Sequence, residues 1–272
     1  MNDHDSPIGI LQDRVALVLG ASRGIGAEIA RAYAAAGASV VLAARDKQAL
    51  SVVVDQIEAA HGRAVAVRAD VTSEDDVRTA VQRAVDEFGR LDVACNNAAG
   101  GARPAPLAEI ALADFELSVQ TNLIGAFLSL KYEVAAMLEN RSPTRGAIVN
   151  VASTAGLEGV ATLAGYVATK HALVGLTKVA ALDYAEHGIR VNAVAPGPIL
   201  THHLERAGER HQRAAANAMP MRRVGQPSEV ADAVVWLSSE QASFVTGTTV
   251  AIDGGKLAGT APFSAQAREM AG

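Results

Sequence analysis

The most informative absences in this 272-residue sequence concern cysteine, basic runs and long apolar segments. Cys95 is the only cysteine, so no disulfide can form within the chain. No segment carries the roughly 18 apolar residues of a membrane span, and the stretch from Met1 to Asp13 lacks the features of a secretory leader. The formal net charge is −5 without any run of Lys or Arg, which argues against nucleic-acid and membrane partners. We therefore expect a cytoplasmic protein that acts on a small molecule.

Half of the residues are hydrophobic, which is enough for the core of one large domain. We assign this domain to residues 13–272. The preceding residues 1–12 contain Pro7 and Gly9, which oppose regular structure, and we expect them to form a flexible arm. Cys95 ends an apolar stretch and is expected to be a packed core residue.

Short apolar segments alternate along the chain with longer segments of helical periodicity. The apolar segments predict strands at 14–19, 39–44, 64–68, 91–95, 147–151, 190–194 and 248–252. The intervening segments predict helices at 25–36, 47–61, 74–88, 113–139, 166–185 and 228–237. This alternation indicates an α/β protein with a Rossmann-type, doubly wound parallel sheet of about seven strands flanked by helices. Such sheets bind ligands at the carboxyl ends of their strands.

A glycine-rich segment joins the first predicted strand to the first predicted helix. Gly20 permits a tight turn, Gly24 lets the backbone approach a pyrophosphate, and Gly26 lets the helix pack closely on the strand. The N-terminus of the helix also offers unpaired N–H donors to phosphate oxygens. The segment therefore predicts a dinucleotide site, with a plain glycine-rich turn as the alternative. The other residues of this segment that we assign to cofactor binding are Ser22, Arg23 and Ile25.

Tyr166 and Lys170 lie four residues apart in a predicted helix and therefore share one helical face. A free tyrosine has a pKa near 10, so a nearby positive charge is needed to favour its phenolate. Lys170 is placed to supply that charge. The same pair occurs on ordinary surface helices, but Ser153 lies 13 residues before Tyr166, just after a predicted buried strand. With the glycine segment upstream, this combination indicates a catalytic site.

These motifs together resemble the short-chain dehydrogenase/reductase family, and the resemblance extends over residues 13–255. It implies that Ser153 binds the substrate oxygen and that Tyr166 transfers a proton. Lys170 would lower the pKa of Tyr166 and hold the nicotinamide ribose. Asn122 matches the family asparagine that supports a water relay to the lysine. The resemblance also implies a homo-oligomer, either a tetramer or a dimer.

The resemblance implies further cofactor contacts. Asp70 would accept a hydrogen bond from the adenine amino group and Val71 would pack on the ring, although an aspartate in this position equally predicts a turn or a helix cap. The chain departs from the family pattern at Leu19, where threonine is usual, and at Ala99, which replaces a glycine. The remaining implied cofactor residues are Asn96, Ala98, Tyr166, Lys170, Pro196, Gly197, Ile199 and Thr201.

The end of the second predicted strand indicates which cofactor is preferred. The family's acidic position, which would bind a ribose 2′-hydroxyl, is Ala44 in this chain, and Arg45 follows it. Arg23 in the glycine segment would close on the same group. Because two guanidiniums suit a phosphate dianion, we predict NADP(H) in preference to NAD(H). The alternative is that both arginines are solvated surface charges.

The polar segment 198–220 predicts a mobile lid over the substrate. His202 and His203 are adjacent there, but no third ligand follows at a recognisable spacing, so we assign no metal. The lid and a set of loop residues would form the substrate pocket, and their apolar share suggests a hydrophobic or cyclic ketone. The loop residues are Arg103, Pro104, Thr154, Leu157 and Leu163.

Together these features predict an enzyme that transfers a hydride between NADP(H) and a carbonyl compound or secondary alcohol. Two alternatives remain open. A 3-oxoacyl-[acyl-carrier-protein] reductase would use the same catalytic residues, and a dinucleotide-sensing protein would keep the fold without catalysis. An acyl-carrier partner would favour a basic patch near the mouth of the site, and five arginines could form one. The other interpretation is that these arginines belong to a solvated lid. They are Arg206, Arg210, Arg213, Arg222 and Arg223.

Overall fold

The computed structural model describes residues 9–101 and 103–259. Its strands form one sheet of seven members in the order β3-β2-β1-β4-β5-β6-β7, and each neighbouring pair is parallel. The strands are β1 (Val15–Leu19), β2 (Ser39–Ala44), β3 (Arg63–Arg68), β4 (Val93–Asn96), β5 (Gly146–Val151), β6 (Ile189–Pro196) and β7 (Thr249–Ile252).

Helices connect the strands and cover the sheet. None of them, within the described ranges, is both long and apolar enough to cross a membrane. A π-helical turn, Gln120–Ile124, joins the fourth helix to the fifth. The helices are α1 (Gly24–Ala35), α2 (Lys47–Ala59), α3 (Glu74–Phe88), α4 (Leu112–Val119), α5 (Gly125–Leu138), α6 (Ala164–Tyr184), α7 (His202–Arg206), α8 (Glu209–Asn217) and α9 (Pro227–Ser238).

This topology confirms the predicted doubly wound parallel sheet. The chain builds outward from β1 to β3 on one side and from β4 to β7 on the other. The direction of winding therefore reverses between β1 and β4. In this architecture a ligand crevice lies at such a reversal, outside the carboxyl ends of the strands.

Both faces of the sheet are covered, which explains why its strands are almost continuously apolar. In β1, Ala16 and Val18 belong to the hydrophobic cluster that includes α1, α2 and α9. Val15, Leu17 and Leu19 belong to the cluster on the other face, together with α3, α5 and α6. All five side chains are buried, so the central strand has no solvated face.

Local signals explain the elements whose ends match the prediction. Strand β2 and helix α3 have the predicted bounds. Ser73 caps α3 by accepting a hydrogen bond from the Asp76 N–H at 3.2 Å. Gly89 ends the helix in the left-handed conformation, with φ of 84°.

Part of the predicted flexible arm is packed, and the mobility of the predicted lid stays a prediction. Residues 1–8 lie outside the described residues, but Leu11 is buried and its N–H donates to the Ala36 carbonyl at 2.9 Å, while Ile10 and Gln12 are exposed. Gly9 lies so close to Ala36 that a Cβ would sit 2.2 Å from that oxygen. Burial of Leu11 therefore outweighs the local effect of glycine. The segment predicted as a mobile lid contains helices α7 and α8.

Asp92 ties the amino end of β1 to the chain entering β4. Its carboxylate is buried, accepts a hydrogen bond from the Val15 N–H at 3.0 Å, and forms ion pairs with Arg14 and Arg90. A buried carboxylate is tolerated only with such partners, because its desolvation is costly. Asp92 therefore helps to set the register of the two central strands.

We predict that Asp92→Ala lowers the free energy of unfolding by about 2–3 kcal/mol, because hydrogen bonds to a charged group are lost and the Val15 N–H is left buried and unpaired. Urea denaturation monitored by circular dichroism measures this change. Asp86→Ala is the control, since Asp86 is exposed on α3 and its loss should change stability by less than ~0.5 kcal/mol. Equal midpoints for the two variants would contradict the anchoring role.

Candidate active site

Helix α1 begins directly after β1, and three glycines let the two elements approach closely. Gly20 and Gly24 have φ angles of 86° and 56°, a region that residues with side chains rarely adopt. A Cβ on Gly26 would lie 2.2 Å from the Gly20 carbonyl oxygen and 2.4 Å from Nδ2 of Asn97. Ile25, which stands between Gly24 and Gly26 in the sequence, packs on the hydrophobic core. The first turn of α1 is thereby held against the end of β1, as a pyrophosphate site requires.

Asn97 holds this turn in place, and the sequence analysis assigned it no role. Its Nδ2 donates to the Gly20 carbonyl oxygen at 2.9 Å, and its backbone N–H donates to the Leu19 carbonyl oxygen at 3.0 Å. The only signal was a pair of asparagines after an apolar strand. The sequence does not show which member of that pair faces the glycine segment.

A cleft of about 490 Å³ opens at the carboxyl ends of β1, β2 and β4. It is lined by five segments that are distant in sequence. The parallel sheet brings four of them to one edge, and Thr121 of the π-helical turn is the fifth. Seven residues that were predicted to bind the cofactor line this cleft: Gly20, Ser22, Arg23, Arg45, Asp70, Val71 and Ala98.

One end of the cleft carries the charged residues. Arg23 and Arg45 are exposed and approach it from different loops. Asp70 Oδ1 accepts hydrogen bonds from the N–H and the hydroxyl of Thr72 at 3.0 and 2.8 Å. Burial alone would raise the pKa of Asp70, but these bonds and the charges of Arg45 and Arg68 bring it below its ordinary value. Asp70 therefore forms a turn with Thr72, which was the alternative to its predicted adenine contact. It also lines the cleft.

Ser153, Tyr166 and Lys170 meet beyond the carboxyl end of β5. The Ser153 side chain is near enough to the Tyr166 hydroxyl to lower its pKa, and the Lys170 ammonium lies 5.7 Å from the centroid of the Tyr166 ring. Lys170 Nζ also donates to the Val151 carbonyl oxygen at 2.7 Å. This bond ties the start of α6 to the end of β5, so the three side chains are held together.

Burial shifts the pKa values of both Tyr166 and Lys170. It raises the pKa of Tyr166, and the Ser153 side chain offsets this only in part. Lys170 is only 2% exposed, and burial lowers its pKa to about 8. The Lys170 ammonium binds the Val151 carbonyl and lies 5.7 Å from the centroid of the Tyr166 ring. The predicted lowering of the Tyr166 pKa by Lys170 stays a prediction.

Asn122 lies in the π-helical turn between α4 and α5 and is buried. Its Oδ1 accepts from the Gly100 N–H at 2.8 Å, and its Nδ2 donates to the Gly100 carbonyl at 2.7 Å and to Thr169 Oγ1 at 3.2 Å. Asn122 therefore joins the loop after β4 to α6, one residue before Lys170. The loop that it clamps is the one in which Ala99 replaces the family glycine.

Asn96 does not line the cleft, and its side chain is bonded inside the protein, so its predicted cofactor contact stays a prediction. It is the last residue of β4, one position beyond the predicted end of that strand. Strand alternation directs its side chain toward α5, where Nδ2 donates to Glu133 Oε2 at 2.9 Å and to Asn150 Oδ1 at 3.0 Å. Ala98, two residues later, lines the cleft.

The turn after β6 lies beside the glycine segment. Pro196 ends β6 and Gly197 begins the turn. The Thr201 side chain is 3.4 Å from the point where a Cβ on Gly24 would be. The Ile199 side chain is buried in the core, so only its backbone is available to a ligand.

Lys256 reaches the Ser153 loop from far along the chain, and the sequence analysis did not identify it. Its Nζ donates to Thr154 Oγ1 at 3.3 Å and forms an ion pair with Glu158. Lys256 and Thr154 are 102 residues apart, so only the fold reveals this contact. The predicted pocket residues Arg103 and Leu163 line a small cavity together with Tyr166, while Leu157 is exposed. Among the side chains that the structure describes, which leave out that of His203, no group of three or more metal-ligating residues occurs.

Comparisons with known proteins agree with this geometry. A family model described as Enoyl-(Acyl carrier protein) reductase matches residues 20–256. The A-factor type gamma-butyrolactone 1'-reductase (1S-forming) of Streptomyces virginiae is 44% identical over 250 residues, which cover 91% of this chain and 96% of the relative. The chain belongs to the short-chain dehydrogenase/reductase family.

Other members of the short-chain dehydrogenase/reductase family are similar over nearly the whole chain. The cyclohexanol dehydrogenase of Acinetobacter sp. (strain SE19) is 42% identical over 89% of this chain and 94% of the relative. The crystal structure of levodione reductase matches with a TM-score of 0.86 at 35% identity, covering 92% of this chain and all of the other. The protein is therefore an NAD(P)-dependent oxidoreductase that acts on the CH–OH group of secondary alcohols or on the corresponding carbonyl.

We predict that Gly26→Ala weakens dinucleotide binding at least about tenfold, because the new Cβ would push α1 away from Gly20 and Asn97. Titration of the protein with NADPH, followed by nucleotide fluorescence, measures this. Gly175→Ala is the matched control, since a Cβ on Gly175 in α6 meets no atom within 4 Å. Unchanged affinity in the Gly26 variant would mean that the glycine segment does not hold the phosphates.

Proposed function

We propose that this protein transfers a hydride between NADP(H) and a cyclic ketone or the corresponding cyclic secondary alcohol. The observation that carries the proposal is the group formed by Ser153, Tyr166 and Lys170 next to the glycine-lined cleft. A Cβ on Gly101, which lines that cleft, would lie 4.0 Å from the Tyr166 ring. The cofactor cleft and the proposed catalytic residues are therefore contiguous.

The residues of the cleft fit a dinucleotide. A side chain on Gly20 would collide with the Ala98 backbone at 2.6 Å, so only glycine leaves this approach open. NADP(H), when bound, supplies or accepts the hydride. The glycine segment would hold the pyrophosphate, Val71 the adenine and Ala98 the adjoining ribose. The turn that contains Pro196, Gly197, Ile199 and Thr201 would hold the carboxamide.

Tyr166 would give its phenolic proton to the substrate oxygen during reduction and take it back during oxidation. Since burial raises its pKa, Tyr166 holds its proton at neutral pH, as a general acid must. The Ser153 hydroxyl would bind the same substrate oxygen. Lys170, whose pKa is lowered to about 8 by burial, can exchange a proton near neutral pH. Asn122 contacts Thr169 beside it, and we place Asn122 in the relay to solvent.

The preference for NADP(H) rests on Arg23 and Arg45. Both are exposed and line the same cleft as Asp70 and Val71, so both can reach a phosphate on the adenine ribose. Each charged hydrogen bond contributes about 1.5–3 kcal/mol. Ala44 supplies no carboxylate that would repel this phosphate.

The cyclic substrate class is supported by similarity. Two of the relatives, the cyclohexanol dehydrogenase and the gamma-butyrolactone reductase, are named after ring compounds. The predicted pocket residues Leu157 and Leu163 are apolar, as a hydrophobic ring requires. Pro104 and Arg103 are exposed.

The matching family model, Enoyl-(Acyl carrier protein) reductase, favours a second candidate, an acyl-carrier-protein substrate. A basic docking patch is less supported, because two arginines near the predicted lid are already paired. Arg213 bonds Glu209 at 2.9 Å, and Arg223 bonds both carboxylate oxygens of Glu229 at 2.6 and 2.8 Å. Relative rates with cyclohexanone and an acetoacetyl thioester would separate the two candidates.

We further propose that the enzyme is a cytoplasmic homo-oligomer, most simply a tetramer. Large apolar side chains remain exposed on α4, α5 and α6, where another subunit would cover them. They are Leu112, Leu117, Phe127, Val179 and Leu182. Light scattering of the purified protein would determine the number of subunits.

The proposed function predicts that Tyr166→Phe lowers kcat at least about 100-fold, since it removes the proton that general acid catalysis needs. The variant should still bind NADPH within about threefold of wild type, because the ring is kept and only the hydroxyl is lost. Initial rates of NADPH oxidation with cyclohexanone and related cyclic ketones measure the effect. Wild-type turnover in this variant would refute the catalytic assignment, whereas binding without turnover in both proteins would favour a nucleotide sensor.

The cofactor assignment predicts that Arg45→Asp raises the KM for NADPH about tenfold to 100-fold, because a carboxylate replaces a phosphate-binding cation. The KM for NADH should change much less. Steady-state kinetics with both nucleotides provide the measurement. Lys47→Asp makes the same charge change two residues away on a side chain that does not line the cleft. Equal effects of the two variants would point to general electrostatics rather than to direct binding.

A further inference from the structure

Four buried polar side chains form a cluster under the active site, and the proposed mechanism uses none of them. They come from four elements: Asn96 from β4, Glu133 from α5, Asn150 from β5 and Thr177 from α6. Their exposed fractions are 6%, 0%, 0% and 0%. Polar groups so deeply buried must satisfy one another, because water does not reach them.

The hydrogen bonds of the cluster begin at the Asn96 amide nitrogen and lead to Glu133 on one side and to Asn150 and Thr177 on the other. Asn96 Nδ2 donates both of its hydrogens, to Glu133 Oε2 at 2.9 Å and to Asn150 Oδ1 at 3.0 Å. Asn150 Nδ2 donates to Thr177 Oγ1 at 2.9 Å, and Thr177 Oγ1 donates to the Leu173 carbonyl at 2.8 Å. The donors of the two amides and the hydroxyl therefore all point away from the remaining oxygen of Glu133.

Two acceptors are left over. Asn96 Oδ1 and Glu133 Oε1 are both buried without a hydrogen-bond partner among the described residues. They belong to the same two side chains that are already joined by the Asn96 Nδ2 bond to Glu133 Oε2. A proton on Glu133 Oε1 would let it donate to Asn96 Oδ1, which satisfies both atoms at once. An ionised carboxylate would leave both acceptors unpaired.

We propose that Glu133 is a neutral carboxylic acid in the folded enzyme and that it forms a two-hydrogen-bond pair with the Asn96 amide. In this pair Asn96 Nδ2 donates to Oε2 and Glu133 Oε1 donates to Asn96 Oδ1. Glu133 is thereby a positioning residue, because the pair holds the end of β4 and, through Asn150, the end of β5. The loop that lines the cleft and Ser153 follow directly from these two ends.

The surroundings of Glu133 contain no group that would stabilise its charge. Burial raises its pKa to about 7, and only the hydrogen bond from Asn96 acts in the other direction. The titratable groups that interact with it are Cys95 on β4 and Tyr33 on α1, and burial raises the pKa of both. Thr177 on α6 and Asn150 on β5 are neutral. Helix α3, which packs on α5, buries Val77, Ala80, Val81 and Ala84.

The sign of the pH dependence follows from this shift. A free glutamate has a pKa near about 4.3, so the unfolded chain loses this proton at lower pH than the folded protein. The stability that the neutral pair contributes is complete below about pH 4.3 and falls as the pH rises toward the folded pKa of about 7. Above that value the penalty for the buried charge is complete.

Infrared spectroscopy of the wild-type protein tests the protonation directly. Ordinary carboxyl groups are ionised at about pH 6, so a protonated carboxyl band at that pH would mark Glu133. We expect such a band in wild type, its loss as the pH passes about 7, and its absence in Glu133→Gln. Absence of the band from wild type at about pH 6 would overturn the proposal.

Activity across pH tests the positioning role, which rests on the proposed function. Glu133→Gln keeps both hydrogen bonds at every pH, since its amide nitrogen can donate to Asn96 Oδ1 and its oxygen can accept. We therefore expect kcat/KM of wild type, divided by that of Glu133→Gln, to fall at least about threefold between about pH 6 and about pH 9. Glu139→Gln changes an exposed glutamate next to the C-terminus of the same helix, and its ratio should stay constant.

The two measurements separate the possible failures. The infrared band does not depend on any assumption about the reaction, so its presence with a constant activity ratio would refute the positioning role alone. A band in an enzyme that turns over no carbonyl compound would refute the proposed function and leave the protonation established.

Discussion

The parallel pairing of β4 with β5 is the constraint on which the rest of the site depends. Val93 to Asn96 pair residue by residue with Ala147 to Asn150, so the two strands end at the same level. The chain leaving β4 lines the cleft, and the chain leaving β5 brings Ser153. Lys170 then binds the Val151 carbonyl and sets α6 at the same height. A shift of β5 would move Ser153 relative to the loop after β4, because Ser153 directly follows β5.

Exclusion of water shifts the pKa values of both Tyr166 and Lys170. Burial favours the neutral form of both partners, so the Tyr166 pKa rises while the Lys170 pKa falls to about 8. The opposing effect on Tyr166 comes from Ser153. Ser153 therefore has two proposed roles: its hydroxyl binds the substrate oxygen, and it limits the rise of the Tyr166 pKa. The reach of Lys170 to Val151 restricts how strongly it can favour the phenolate.

Residue patterns were sufficient for the fold and for seven of the residues that line the cleft, because strand alternation and glycine geometry are local properties. Failures occurred where a side chain's direction depends on packing. Asn96 was assigned to a loop, but β4 extends to it, and the pleat then directs its amide into the core. A charged residue such as Glu133 on a helix normally indicates a solvated face, and only tertiary contacts show it to be buried. Leu11, likewise, is packed by Ala36, which lies far from it in sequence.

The base of the site and the predicted lid are held by different kinds of interaction. Under the cleft, buried amides, a carboxyl group and a hydroxyl leave few acceptable arrangements, because an unpaired polar atom there costs free energy. In the segment predicted to be the lid, α8 has no buried residue and its Arg213–Glu209 pair is exposed, so these contacts contribute little. Substitutions on α8 therefore leave the contacts of Ser153, Tyr166 and Lys170 in place. If this segment is the lid that the sequence predicts, substrate preference is free to change while the proton-transfer geometry stays fixed.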